Sequence, residues 1–134
     1  MLRKIGTFIF AMILPGLVSA GHHEEGEALR PAAKSGQVIV AYSVPCVDPA
    51  AGVAILKELI AYESDAAPVD YSSVATIIDD ETVGAVDVHT SNEAMQKAFA
   101  WQEQDEKWLG IQARALGICE ADVNAIATAI HVAQ

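Results

Sequence analysis

Hydrophobic positions change their period several times along this chain, and each change marks an element. Val38 to Val44 reads Val-Ile-Val-Ala-Tyr-Ser-Val and stops at Pro45, a β-rich run that predicts a strand. Asp48-Pro49 supplies a capping side chain and a proline at the first helical position, so a helix starts there. Val53, Leu56, Leu59 and Ile60 share one face at 3.6-residue spacing, which carries that helix to about Glu63. Ser64 to Pro68 is a loop.

Alternation returns from Tyr71 to Ile78, breaks at the acidic turn Asp79-Asp80-Glu81, and resumes from Val83 to His89, which predicts a β-hairpin. Thr90-Ser91-Asn92-Glu93 has the pattern of a capping box, with Thr90 as the cap and Glu93 reaching back. The second helix is expected from Ser91 to about Ile111, with Gly110 as its weak point. Beyond Gly117 and Cys119, a short turn after Asp122 leads into an apolar segment read as a strand from about Ala125. The order is β-α-β-β-α-β, which predicts a ferredoxin-like α+β fold: a four-stranded antiparallel sheet in spatial order four, one, three, two, with two helices on one face.

That topology bears on the two cysteines. Strands four and one are antiparallel neighbours, so Cys46, after the first, and Cys119, before the fourth, meet at one sheet edge. A disulfide between them is expected.

The first twenty residues have a different character. Arg3 and Lys4 precede an uncharged apolar run from Ile5 to Val18, and Val18-Ser19-Ala20 places small residues where signal peptidase cuts. The run is shorter than the roughly 20 residues a spanning helix needs, so removal of residues 1–20 and no stable membrane anchor afterwards are expected. Residues 21–36, rich in Gly, Ala, Glu and His, read as a flexible acidic arm ahead of one α+β domain over 37–134. A secreted or periplasmic protein is the implied product, a setting in which paired cysteines are oxidised.

Net charge is −10, and losing Arg3 and Lys4 would make the remainder more acidic. Such a surface repels phosphate backbones, so nucleic acid is excluded as a partner. Gly-rich phosphate loops, G-x-S-x-G and clustered Cys–His spacings are absent from the sequence.

Three groups of residues carry candidate chemistry. On the third strand Asp87 and His89 share a side opposite Val86 and Val88; a carboxylate beside an imidazole on a partly desolvated outer face suits acid–base work. On the second helix, 100° steps put Gln102 and Asp105 inside an apolar stripe with Trp101 and Trp108, which suggests a polar pocket walled by two indoles. Cleavage after Ala20 would expose Gly21-His22-His23, whose free amine, backbone nitrogens and third-position imidazole can enclose Cu(II) or Ni(II) in a square plane. No other cofactor is expected.

The stretch Val86-Asp87-Val88-His89-Thr90-Ser91-Asn92-Glu93-Ala94-Met95, leading into Phe99, Trp101 and Trp108, resembles the second half of dimeric α+β-barrel proteins. That superfamily contains small monooxygenases, stress-response proteins and many domains of unknown role. The resemblance extends to the topology of residues 37–134 and implies a homodimer with a ligand cavity between sheet and helices. It supplies no catalytic signature to carry over. Three functions follow as expectations: a binding module for a small hydrophobic ligand, a cofactor-independent monooxygenase-like or isomerase-like enzyme using His89 or Asp87, and an interaction scaffold with a metal-binding arm.

Overall fold

A computed structural model describes residues 30–134; the apolar leader, the proposed cleavage point, Gly21-His22-His23 and most of the 21–36 arm lie outside the described residues. The described part has β1 (Val38–Pro45), α1 (Pro49–Ala66), β2 (Tyr71–Asp79), β3 (Thr82–His89), α2 (Asn92–Gln102), α3 (Glu106–Cys119), a single 3-10 turn (Val123–Ala125) and β4 (Ala127–Val132). The sheet order is β2-β3-β1-β4 with every neighbouring pair antiparallel, as the sequence predicts. The tail of the expected arm is tied down: Gly36 N–H donates to Ala133 O, and Ala133 N–H to Gln37 O, both at 2.9 Å.

Local chemistry explains the helix boundaries. Asp48 Oδ1 accepts from Ala51 N–H at 3.1 Å, and Pro49 follows as the first helical residue. The second cap sits one residue later than expected: Ser91 Oγ, rather than Thr90, accepts from Ala94 N–H at 3.1 Å. Glu93 is left in the first turn, where its charge suits the helix dipole.

The expected long second helix is two helices. It stops at Gln102, and Asp105 restarts it by accepting from Trp108 N–H at 2.8 Å. Gly110 lies inside α3 with no break. The chain therefore turns before α3, so 100° steps carried across from α2 lose phase. α3 ends in a left-handed cap at Glu120 (φ 54°), with Ala121 N–H donating to Leu116 O at 3.0 Å.

Alternate residues of the sheet face α1, α2 and α3. Val38 and Val40 of β1 are buried on that face with Met95, and Leu59, Trp108 and Ile111 pack together between α1 and α3. The other face carries Ile39, Ala41, Val74, Val86 and Val88, which the strand register brings side by side, and no helix among the described residues covers it.

Cys46 and Cys119 form the expected disulfide, closing a 73-residue separation. Both sulfurs rest against Gly52 of α1: a Cβ there would come within 2.7 Å of Cys46 Sγ and 2.9 Å of Cys119 Sγ. Glycine is required at this point for close approach rather than for backbone freedom.

Candidate functional site

Between the sheet and the roof made by α1 and α3 lies a cavity of about 380 Å³. One end is apolar, with Val44, Gly52, Leu56, Val83 and Cys119 on its walls; the other holds Tyr42, Glu63, Ser73, Asp87, Gln102 and Trp108.

Each polar residue arrives for a local reason. Glu63 lies one turn beyond Leu59 and Ile60, so the apolar face of α1 carries it inward. Asp87 stands opposite Val40 on β1 and Ser73 on β2, and Tyr42 opposite Ala85, so the register sets all of them on the helix-covered face. This corrects the expectation that Asp87 and His89 lie on the sheet's outer face. They are internal to one chain, with exposures of 3 % and 0 %.

Glu63 is the hub. Its Oε1 accepts from Trp108 Nε1–H at 2.7 Å and from Gln102 Nε2–H at 3.2 Å, and Gln102 Nε2 also donates to the Tyr71 hydroxyl at 3.2 Å. Burial holds the Glu63 carboxyl above the usual carboxylate range, although Trp108, Tyr71 and Gln102 pull it down. Burial likewise pushes Asp87 up to about 7, and the Glu63 charge adds to it; hydrogen bonds from Ser73 and Tyr42 oppose both. The Tyr42 and Tyr71 phenols are held neutral, first by burial and then by the carboxylates nearby.

His89 sits behind Asp87. Its ring stacks on Tyr71 at 4.6 Å between centroids, meets Phe99 edge-on at 6.0 Å, and has neither nitrogen hydrogen-bonded. Nε2 is 4.0 Å from Asp87 Oδ2, beyond hydrogen-bonding distance. Burial lowers its proton affinity, which keeps the imidazole neutral.

The structure divides the residues expected to form a helix pocket. Gln102 and Trp108 line the cavity and join the Glu63 network. Asp105 does not line it: besides capping α3, its carboxylate accepts from the Tyr62 hydroxyl at 2.9 and 3.1 Å. Trp101 packs outside the cavity against Tyr62, at 5.9 Å between centroids. Glu63, Tyr42, Tyr71 and Ser73 escaped the sequence reading. Only Glu63 left a clear trace, as a carboxylate continuing the Leu56–Leu59–Ile60 stripe. Among the described residues no group of His, Cys, Asp and Glu could hold a metal ion.

A four-stranded sheet in this order, with its helices on one face, is the ferredoxin-like α+β fold, and solved structures share it. One is SnoaB, a cofactor-independent oxygenase from Streptomyces nogalater: 12 % identical, covering 75 % of this chain and 95 % of its own, TM-score 0.52. A candidate antibiotic biosynthesis monooxygenase from Caulobacter crescentus CB15 is 16 % identical over 75 % of this chain and 92 % of its own, TM-score 0.51. A dimeric ferredoxin-like protein of unknown function from Jannaschia sp. CCS1 is 6 % identical over 72 % and 99 %, TM-score 0.49. No family model matches the chain, and no curated protein is significantly similar to it.

Proposed function

We propose that this is an exported, homodimeric protein that binds a small, largely apolar molecule in the cavity between its sheet and its helices. The observation that carries the reading is the cavity itself: apolar walls with a few convergent polar groups at one end are the usual form of a small-molecule site. Export is supported by Arg3-Lys4, the uncharged run to Val18, the Val18-Ser19-Ala20 site and the disulfide. The homodimer is supported by the apolar sheet face around Val86, which the described helices leave uncovered. Trp108 lines the cavity, so its fluorescence reports occupancy. Titration with small apolar probes, from n-octanol to naphthalene, is expected to change the emission of the native protein and much less that of Trp108→Phe. Unchanged emission with every probe, confirmed by calorimetry without heat of binding, would remove the reading.

A second reading is favoured by one further observation, a buried carboxyl whose proton affinity lies near neutrality at the cavity wall. In it Asp87 takes a proton from a bound substrate and the protein is a cofactor-independent acid–base enzyme, as SnoaB is a cofactor-independent oxygenase on the same fold. Asp87→Asn is then expected to abolish turnover while leaving substrate affinity nearly intact.

A further inference from the structure

We infer that the molecule this cavity takes is a lipophilic amine, bound as its ammonium cation with the charge between Glu63 and Asp87. The inference rests on the small-molecule reading above and names the ligand's chemical class.

The first observation is the sign of the lining. Glu63, Asp87 and Glu103 contribute carboxyls, whereas no Lys, Arg or His among the described residues lines the cavity. An anionic ligand would bring a further negative charge into a space of low polarizability with nothing to neutralise it.

The second is that the two deeper carboxyls are already crowded. Glu63 and Asp87 are 8 % and 3 % exposed, the Glu63 charge raises the cost of ionising Asp87, and the hydrogen bonds they accept come from neutral groups: Trp108, Gln102, Ser73 and the two phenols. Buried carboxylates are stable when paired with a cation, and no basic residue among the described ones lines the cavity beside them. An ammonium group supplies the missing charge and three N–H donors.

The third lies behind Asp87. His89 is wholly buried with both nitrogens unpaired, and its Nε2 faces Asp87 Oδ2 across 4.0 Å. The imidazole is neutral, so it does not compete as a counter-ion. Tyr42, Phe99 and Trp108 on the lining add aromatic surroundings, in which a cation can be accommodated. The apolar end near Leu56 and Val83 is left for a hydrocarbon body.

The test compares n-octylamine, n-octanol and n-octanoate by calorimetry on the intact protein at neutral pH. The amine is expected to bind at least about tenfold more tightly than the alcohol, with the carboxylate weakest. In Glu63→Gln/Asp87→Asn that preference is expected to vanish while the alcohol still binds. Alcohol or carboxylate binding as tightly as amine in the native protein would overturn the charge assignment and leave the small-molecule reading standing. Failure of all three to bind would overturn both.

Discussion

Trp108 donates its indole N–H to Glu63 across 2.7 Å, joining α3 to α1 inside the protein. Both residues are nearly buried, so little water competes for the bond. Glu63→Ala strands the indole donor and one amide donor of Gln102 and is expected to destabilise the fold by about 2–3 kcal/mol. Glu63→Gln keeps an acceptor oxygen and removes the desolvated charge, and should fall within about 1 kcal/mol of the parent. Urea unfolding of the two variants separates the hydrogen bond from the charge. Equal losses would mean that the carboxylate, not the acceptor, holds α1 to α3.

Asp87 makes stability depend on pH with a definite sign. Its carboxyl is pushed up to about 7 in the folded protein, against an ordinary value of 3.8. The folded state therefore binds this proton more tightly than the unfolded chain. Its contribution is most favourable below about 3.8, declines as pH rises toward about 7, and is level above that. The whole span amounts to at most ~4 kcal/mol. Glu63 is shifted in the same direction; the exposed carboxyls Glu58 and Asp79 and the half-buried Asp105 are shifted the opposite way. Subtracting the Asp87→Asn profile from the native one isolates Asp87. The variant is expected to gain on the native protein steadily between about pH 4 and pH 7. A constant difference across that window would refute the shift.

Asp105 is expected to matter for stability and not for ligand affinity. Asp105→Ala removes the cap of α3 at a cost of roughly 1–2 kcal/mol. Tyr62→Phe should cost about 0.5–1.5 kcal/mol through the same carboxylate. The two changes share one partner, so in a double-mutant cycle their costs should add to more than the double variant loses. Exact additivity would show that the phenol contributes independently of Asp105.

Close packing of Gly52 on the disulfide gives a conditional effect. Gly52→Ala is expected to cost about 1–3 kcal/mol through overpacking. In the Cys46→Ala/Cys119→Ala background both sulfurs are gone, and the same change should cost little or nothing beyond the loss of the bridge. A thermal-unfolding cycle over the four proteins reads this coupling. An undiminished cost in the cysteine-free background would place the obstruction elsewhere.

The uncovered sheet face sets the fifth expectation. Val86 lies between Ala41 and Val74 in the register, near the middle of that face. Val86→Glu is expected to convert a dimer to a monomer in sedimentation while leaving the circular dichroism spectrum in place. A native protein that sediments as a monomer would end the dimer proposal directly.

Topology was legible because each element announces itself locally: Pro45 and Asp48-Pro49 separate β1 from α1, and Asp79-Asp80-Glu81 turns the hairpin. The disulfide followed from that order. Asp105 was misleading because two different physical situations look alike in a helical projection. A carboxylate on an apolar stripe can be a buried polar group or the cap of a new helix, and Glu106, in the first turn right after it, favoured the second. Tyr42 and Val40 share a strand face visibly enough, but which face the helices cover is decided by packing. The pairing of Asp87 with Ser73 depends on hairpin register, which a one-residue slip would have reversed. Glu63 was the residue most open to discovery, since its helical position repeats the apolar spacing before it.

α1 and α3 are fastened to each other at both extremities. A covalent bridge joins Cys46, just ahead of α1, to Cys119, the last residue of α3, while Tyr62 and Asp105 tie the opposite ends. Two cylinders sewn in this way slide or spread only by rupturing a stitch, so the ceiling behaves as one plank. The cavity beneath is therefore shaped by the fold and its disulfide. If the cavity takes a small molecule as proposed, enlarging it would require unpicking a seam rather than trimming a wall.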